Sequence, residues 1–294
     1  MCVARRLPLL SSDDRTQRRS HIVKDFVARR AVAALIALAL LSGCSDGSGR
    51  RSSSRIPVTA KTDDSAAGSV DLGGTPYAVT AVKSPGSVTG TIRLDGAPPI
   101  DTTTVTQDQK ICGTQVTGRI NATPDGLADV LVWVADVKTG KALPIEKRVE
   151  LDSENCSLDP RVQGATVGST VNVFNDDRLV HRLVFVKAGT HDTLSVMPFF
   201  NDGQIVASEK LAKTPGIVAV TCKMHPWTHG YIAVFDHPYF DVTGKDGKFT
   251  IDSLPPGTYK MMIWHEGMSD PIEKKITVDA GGTAKLDVPI KLRD

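Results

Sequence analysis

The sequence predicts an all-β protein built from two sandwiches, one inserted in the other, behind a disordered N-terminal tether. From about residue 86 onward, short alternating or apolar runs recur, such as GSVTGTIRL, HRLVFVK and GIVAVTC, and helical periodicity is almost absent. Gly, Pro, Asn and Asp separate these runs at the spacing typical of a β-sandwich or barrel. A folded region of about 200 residues is long for one small sandwich and suits two.

Residues 1–43 are predicted to be a lipoprotein signal peptide. The pair Arg29-Arg30 precedes the apolar run AVAALIALALL, which has the proportions of a signal-peptide core and is short for a bilayer span. The following LSGC, residues 41–44, resembles the lipobox of bacterial lipoproteins, in which the chain is cut before the cysteine and the thiol is acylated. This resemblance implies lipidation at Cys44 and a place in the cell envelope, anchored to a membrane on its periplasmic or extracellular face. A plain signal peptide or a short membrane anchor is the alternative.

Residues 44–85 are predicted to be a flexible linker, because this segment is rich in Ser and Gly and poor in apolar residues. A linker of about 40 residues has a typical reach on the order of 35 Å. Such a linker would keep the folded part close to a membrane and still allow it to stand clear of the membrane surface.

Charge and motif content exclude some function classes. The chain has 35 Lys and Arg against 33 Asp and Glu, with no basic block in the folded region, so nucleic acid is not an expected partner. The sequence shows no Ser-His-Asp arrangement, no paired-carboxylate motif and no phosphate-binding glycine loop. The expectation is that the protein is not an enzyme; a catalytic role is the alternative, because catalytic residues need not be adjacent in sequence.

The five cysteines fall into two groups, two near the N-terminus and three in the predicted folded region. Cys2 leaves with the signal peptide and Cys44 takes the lipid, so three remain in an oxidising compartment, where thiols tend to pair. If a metal holds Cys222, then Cys112 and Cys156 should form a disulfide. The alternative is that all three are free, buried thiols.

A Cys-x-x-His pair is the strongest chemical signal in the chain. Read as a strand, GIVAVTC places Cys222 on the same face as Val220, and His225 follows on a tight loop. A distant partner is His181, which begins the second strand of VNVFNDDRLVHRLVFV on the same face as Phe185. One cysteine and two histidines in a buried trigonal set form the donor pattern of a mononuclear electron-transfer copper site.

Residues 148–237 resemble the cupredoxin family. VNVFNDDRLVHRLVF is similar to the region around the first copper histidine, and CKMHPWT to the short ligand loop of plastocyanin- and amicyanin-like members. The resemblance implies a Greek-key sandwich that holds copper through His181, Cys222 and His225. The sequence departs from the family at two positions: Thr228 stands where the axial methionine is usual, and Arg182 stands where an asparagine often braces the ligand loop.

Residues 86–147 and 238–294 resemble the two halves of a carboxypeptidase-regulatory-like, prealbumin-type β-sandwich. The first half is carried by GSVTGTIRLDGAPP and LADVLVWVADVKTGKA, and the second by FDVTGKDGKFTIDSLPPGTYKMMIW. In the second half, Asp246-Gly247 predicts a tight hairpin between two short strands. About 90 residues separate the halves, which predicts that the cupredoxin-like domain is inserted; two or three modules in series are the alternative.

The expected function is electron transfer through copper, with a redox protein as partner and the membrane as anchor. Copper storage or delivery would use the same donors, and a metal-free structural or carbohydrate-binding module is the third possibility. Zinc also fits these residues, but a three-donor set with a thiolate favours copper. Trp133 and Trp264 are expected in the core, and Trp227 either in an apolar patch beside His225 or simply packed. The remaining histidines are expected at the surface or as satisfied core residues: His191, His229, His237 and His265.

Overall fold

The computed structural model describes residues 70, 72, 76–99, 102–117, 120–190 and 192–293. The predicted signal peptide and Cys44 lie outside these residues. Within the described part, helix is confined to the four residues of α1, and no helix there is both long and apolar enough to cross a membrane. The elements are β1 (Ala78–Val79), β2 (Gly86–Leu94), β3 (Thr102–Thr104), α1 (Gln109–Cys112), β4 (Gln115–Thr117), β5 (Leu131–Val134), β6 (Thr139–Gly140), β7 (Arg148–Glu154), β8 (Ser157–Asp159), β9 (Val162–Thr166), β10 (Thr170–Asn175), β11 (His181–Lys187), β12 (Asp192–Phe199), β13 (Gln204–Ser208), β14 (Gly216–Cys222), β15 (His229–Phe235), β16 (Phe240–Val242), β17 (Lys248–Leu254), β18 (Gly257–Trp264), β19 (Ile272–Val278), β20 (Thr283–Lys285) and β21 (Val288–Ile290).

One sandwich, here called the outer sandwich, combines strands from residues 86–134 with strands from 240–290. Its sheets have the strand orders β16-β5-β18-β19 and β17-β2-β20, and β21 also pairs with β2. Strand β2 alternates buried and partly exposed residues, as expected for a strand that covers a core on one face only. Val88 and Ile92 of β2 pack with Val132 and Ile263 of the facing sheet.

The other sandwich, here called the inner sandwich, uses consecutive strands between residues 148 and 235. Its sheets have the orders β13-β10-β7-β8 and β12-β11-β14-β15-β9. Parallel pairs (β10 with β7, β15 with β9) occur among antiparallel ones, so the connections cross between the sheets as in a Greek key. The core contains Leu151, Val171, Phe185, Phe199 and Ile232. The predicted all-β class is confirmed for the described residues: they form two sandwiches, and the inner one is inserted between the strands of the outer one.

The two sandwiches share a third apolar cluster. Trp133 and Trp264 of the outer sandwich are fully buried, as predicted, and pack with Phe235 of the inner sandwich. The Phe235 and Phe240 rings stack with centroids 4.4 Å apart. A Cβ on Gly164 would come within 2.3 Å of the Phe240 ring, so a side chain there would force the strands apart. This close contact fixes the inner sandwich against the outer one.

The predicted linker of residues 44–85 is wrong in its last part. Leu72 is 2 % exposed and fills the shared apolar cluster. The Tyr77 hydroxyl donates a hydrogen bond to the Lys141 carbonyl at 2.6 Å, and β1 pairs in parallel with β6. The physical reason is that a few apolar side chains in a polar segment are enough to dock it when a partner surface is available.

The predicted hairpin at Asp246-Gly247 is also wrong, although the tight turn exists. Gly247 has φ 68°, and the Lys248 N–H donates to Asp246 Oδ1 at 3.1 Å. The strands on either side belong to different sheets, since β16 pairs with β5 and β17 pairs with β2. The turn therefore passes the chain from one layer of the outer sandwich to the other.

Candidate metal centre

Three donor atoms converge at one end of the inner sandwich. Cys222 ends β14, His181 begins the adjacent strand β11, and His225 follows on the loop between β14 and β15. The Cys222 Sγ lies 3.6 Å from Nδ1 of each histidine, and the two Nδ1 atoms are 3.2 Å apart. Cys222 is 2 % exposed and both histidines are fully buried. The structure thus brings together the three residues predicted as ligands.

These separations fit a single metal ion. Metal–nitrogen bonds of about 2.0 Å and metal–sulfur bonds of about 2.3 Å, at trigonal to tetrahedral angles, place donor atoms about 3.3–3.7 Å apart. One soft sulfur and two imidazole nitrogens form a donor set suited to copper or zinc. Among the described residues, no other group of three His, Cys, Asp or Glu side chains is placed to hold a metal.

Each histidine has a carboxylate on its remote ring nitrogen. His181 Nε2 lies 3.0 Å from Asp177 Oδ2, and His225 Nε2 lies 3.0 Å from Asp108 Oδ2. A carboxylate at Nε2 keeps a hydrogen there, so in the neutral ring that binds a metal the Nδ1 lone pair points at the metal position. Sequence reasoning missed both carboxylates. Asp177 lies four residues before His181, a signal that was available, whereas Asp108 is 117 residues from His225.

Asp177 is buried and accepts several hydrogen bonds. Its carboxylate lies 3.2 Å from the Cys156 N–H and 3.3 Å from the Ser153 hydroxyl, besides the bond to His181. Only 3 % of the Asp177 side chain is exposed. A buried carboxylate is stable when such donors surround it. Asp177 therefore ties the His181 ring to the turn between β7 and β8.

The donor groups perturb each other's protonation in the metal-free chain. Burial by itself lowers the pKa of His181, but the hydrogen bonds and negative charges of Asp177 and Cys222 outweigh it and raise that pKa to about 9. Burial raises the pKa of Cys222, but hydrogen bonds from His181 and from backbone N–H groups of β11 and the ligand loop lower it to about 6. The site thus favours a thiolate, the form of cysteine that binds metals.

Backbone hydrogen bonds hold the ligand loop. The Cys222 N–H donates to the Thr228 carbonyl at 3.0 Å, and the Thr228 N–H donates to the His225 carbonyl at 2.9 Å. The Lys223 N–H donates to the Arg182 carbonyl at 2.9 Å. Since the Arg182 side chain is exposed, the brace at that position is made by the main chain rather than by a side chain.

Thr228 is the residue that the sequence puts where an axial methionine is usual. Its side chain is fully buried, and its hydroxyl donates a hydrogen bond to the Cys156 carbonyl at 2.7 Å. The hydroxyl proton is therefore engaged by the β7–β8 turn. Met224, in the same loop, is 40 % exposed and offers no substitute thioether in the interior.

The predicted disulfide is present. Cys112 and Cys156 are bonded, with their Cα atoms 5.5 Å apart, and Cys222 is the free cysteine of the described residues. The bond joins α1, which lies between β2 and β5 of the outer sandwich, to the β7–β8 turn whose Cys156 N–H donates to Asp177. A covalent link therefore runs from outside the inner sandwich to the residues around the donors.

Trp227 and the histidines outside the donor set were also predicted from the sequence, and the structure gives the surroundings of most of them. Trp227 is 7 % exposed, with its ring centroid 5.3 Å from that of His225, so it packs against the ligand ring. His229 contacts Glu266 through Nε2 at 3.0 Å. His237 and His265 are buried. His191 lies outside the described residues.

The family comparison concerns the C-terminal part of the chain. Residues 232–291 match the family model described as "Carboxypeptidase regulatory-like domain". The match covers the second half of the outer sandwich and the last strand residues of the inner one. None of the curated proteins matches the sequence.

The structure neighbours are cupredoxins. A Cu(I) amicyanin variant is 19 % identical over 30 % of this chain and 81 % of its own, with a TM-score of 0.26. A purple cupredoxin from Nitrosopumilus maritimus is 19 % identical over 29 % of this chain and 98 % of its own, with a TM-score of 0.25. A Cu-containing nitrite reductase from Thermus scotoductus SA-01 is 23 % identical over 36 % of this chain and 25 % of its own, with a TM-score of 0.28.

The topology defines the class of protein: it is an all-β protein of two sandwiches, in which the inner sandwich is inserted between the strands of the outer one. Residues 232–291 are similar to a carboxypeptidase regulatory-like domain. The inner sandwich carries the convergent His181, Cys222 and His225 side chains.

Proposed function

We propose that this protein is a lipid-anchored, extracytoplasmic copper protein that transfers electrons through a mononuclear His₂Cys site. The observation that carries the proposal is the convergence of Cys222, His181 and His225, whose donor atoms lie 3.2–3.6 Å apart in a buried cluster. When bound, copper would supply a one-electron couple between Cu(I) and Cu(II). The protein's own contribution is to hold three donors of the right type in nearly fixed positions.

The surroundings of the donors support electron transfer over metal exchange. Both imidazoles have their remote nitrogens bonded to carboxylates, and the loop between Cys222 and Thr228 is closed by backbone hydrogen bonds. Such a site changes little in shape when the metal charge changes, which suits a redox carrier. A storage or delivery protein needs an open site with fast exchange, and these donors are 0–2 % exposed.

Burying the three donor side chains would be unfavourable in a protein that binds no metal. Two imidazoles with facing Nδ1 atoms, next to a thiol inside a sandwich, are costly to bury compared with apolar side chains of similar size. A bound metal gives all three donor atoms a partner at once. The arrangement therefore favours a metal-binding role over a purely structural one.

The membrane anchor is part of the proposal and comes from the sequence. Lipidation at Cys44 and the polar segment after it would keep the copper site near membrane-bound redox partners. In cells, Cys44→Ser should move the protein from the membrane fraction to the soluble fraction. Unchanged membrane association in that variant would rule out the lipid anchor and leave the copper site unaffected.

The copper site is tested by spectroscopy of the full chain. Protein purified from its native envelope should contain about one copper per chain and show intense visible thiolate-to-copper absorption. Cys222→Ala should abolish that absorption, whereas Thr221→Ala, which changes the neighbouring and partly exposed residue of β14, should keep it. Zinc in place of copper in the purified protein, or a visible band that survives Cys222→Ala, would contradict the proposal.

A further inference from the structure

One side of the candidate site is covered by a segment that does not belong to the inner sandwich. Residues 105–113, here called the strap, contain α1 and connect β3 to β4. Asp108 precedes α1 with a left-handed backbone (φ 55°, ψ 27°), and its carboxylate lies 3.0 Å from His225 Nε2. The strap thus reaches the outward edge of a ligand ring from 117 residues away.

The strap is fixed at several points. Val105 at its start is fully buried, and its carbonyl accepts a hydrogen bond from Gln109 Nε2 at 2.6 Å. In the middle, Gln107 Nε2 donates to the carbonyl of Met224, the residue just before His225. At its end, Cys112 is bonded to Cys156. These contacts place Asp108, whose side chain is 41 % exposed, beside the ligand loop.

The bond to Asp108 determines how the His225 ring is presented. A carboxylate accepts hydrogen bonds only, so the His225 Nε2 must carry a hydrogen, and in the neutral ring that binds a metal Nδ1 then carries the lone pair. Trp227 packs against the ring, and the ring itself is fully buried. The His181 Nε2 makes the same kind of hydrogen bond to Asp177, a residue of the inner sandwich. Of the two ligand histidines, only His225 is bonded to a carboxylate from outside the inner sandwich.

We propose that Asp108 is a positioning residue for His225. The strap is then a lid by which a segment between strands of the outer sandwich completes the metal site of the inner sandwich. The proposal rests on the proposed function and deepens it. Without Asp108, the His225 ring gains a second tautomer and an outward nitrogen open to solvent. The metal should then be held less tightly and exchange faster.

The full chain with Asp108→Asn provides a clean test. Asparagine is well tolerated in the left-handed conformation, so the backbone of the strap should not change. Its amide lacks the negative charge and presents donors as well as an acceptor. Asp125→Asn is the matched control, because Asp125 is an exposed carboxylate in a turn of the outer sandwich.

The first measurement is the rate of Cu(I) transfer from the loaded protein to a strong bicinchoninate-type chelator. Loss of a hydrogen-bond partner of a ligating histidine typically weakens metal binding about 10–100-fold, and we expect a comparable acceleration of transfer in Asp108→Asn. The electron paramagnetic resonance spectrum of the Cu(II) form should also change. Asp125→Asn should match the wild type in both.

A second variant tests whether the strap acts as a unit. Gln107→Ala removes the contact to Met224 without touching His225, so it should accelerate Cu(I) transfer by a smaller factor. The double variant should be about as fast as Asp108→Asn alone, because Gln107 acts by holding Asp108 in place. Fully multiplicative effects would show that the two residues act independently.

A measurement on metal-free protein separates this proposal from the copper proposal. Nitrogen-15 NMR of the His225 ring should show a hydrogen on Nε2 in the wild type and a mixture of tautomers in Asp108→Asn. If the wild type binds copper but Asp108→Asn shows the wild-type transfer rate and tautomer, the positioning role fails and the copper site stands. If the wild type binds no copper, the electron-transfer function fails, and the NMR comparison alone decides the role of Asp108.

Discussion

Replacing Asp177 with asparagine should destabilise the metal-free protein strongly. The Asp177 carboxylate is 3 % exposed and lies within hydrogen-bond distance of three groups: His181 Nε2, the Cys156 N–H and the Ser153 hydroxyl. An asparagine at the same place has one acceptor oxygen and no charge. Its amide nitrogen would face a donor where an acceptor stood before.

The size of the effect follows from these contacts. A hydrogen bond to a charged group contributes about 1.5–3 kcal/mol and a neutral one about 0.5–1.5, so loss of charge on three bonds costs about 3 kcal/mol in total. One buried donor left without an acceptor adds about 1–3 kcal/mol. We therefore expect Asp177→Asn to lower the free energy of unfolding by about 4–6 kcal/mol. For a folded region of this size, the loss corresponds to a fall in Tm of about 8–24 °C.

The assay is urea unfolding of metal-free wild type and Asp177→Asn, followed by tryptophan fluorescence. Asp202→Asn serves as the control, because Asp202 is half-exposed and its contact to the exposed Arg178 is 3.7 Å long. That variant should change the unfolding free energy by less than about 1 kcal/mol. A loss below about 1 kcal/mol in Asp177→Asn would refute the idea that its charge is satisfied by the three donors.

The remaining predictions concern protonation and close packing. Burial lowers the pKa of His237 and His265 to about 4, so the unfolded chain, with histidine pKa near 6.5, takes up protons first as pH falls. Stability should therefore drop by about 1.5 kcal/mol for each histidine between pH 6.5 and 5, and urea midpoints that do not move would contradict this. Separately, a Cβ on Gly90 would lie 1.8 Å from the Leu286 carbonyl oxygen, so Gly90→Ala should cost about 3 kcal/mol or prevent folding. In Gly244→Ala the nearest atom is 3.7 Å away, and thermal unfolding should change little; equal Tm values for the two variants would refute the steric argument.

The sequence allowed the fold to be predicted well where local patterns carry the information. Strand alternation in GIVAVTC and HRLVFVK indicates which residues point into the core, because the two-residue period of a strand is independent of the rest of the molecule. The positions of Cys222 and His181 at strand ends follow from that pattern. The prediction for Asp246-Gly247 failed because a tight turn does not reveal whether its flanking strands pair with each other or with other strands.

Contacts between distant segments could not be predicted in the same way. The Asp108 carboxylate reaches His225 only because the disulfide and the Gln107 contact place the strap there. Nothing in the residues around Asp108 distinguishes it from an ordinary surface aspartate in a polar loop. Leu72 was missed for a similar reason, because a single apolar residue in a polar segment gives no periodic signal.

The distribution of charge around the donors has a consequence for the redox chemistry proposed here. Carboxylates on both remote nitrogens raise the basicity of the imidazoles, and a thiolate adds a third negative charge close to the metal position. These groups would stabilise a bound Cu(II) more than a bound Cu(I), because the higher metal charge would interact more strongly with nearby negative charges. One of the two carboxylates, Asp108, belongs to the strap and not to the inner sandwich. The reduction potential of the proposed site would therefore depend on both sandwiches and on the disulfide that joins the strap to the inner sandwich.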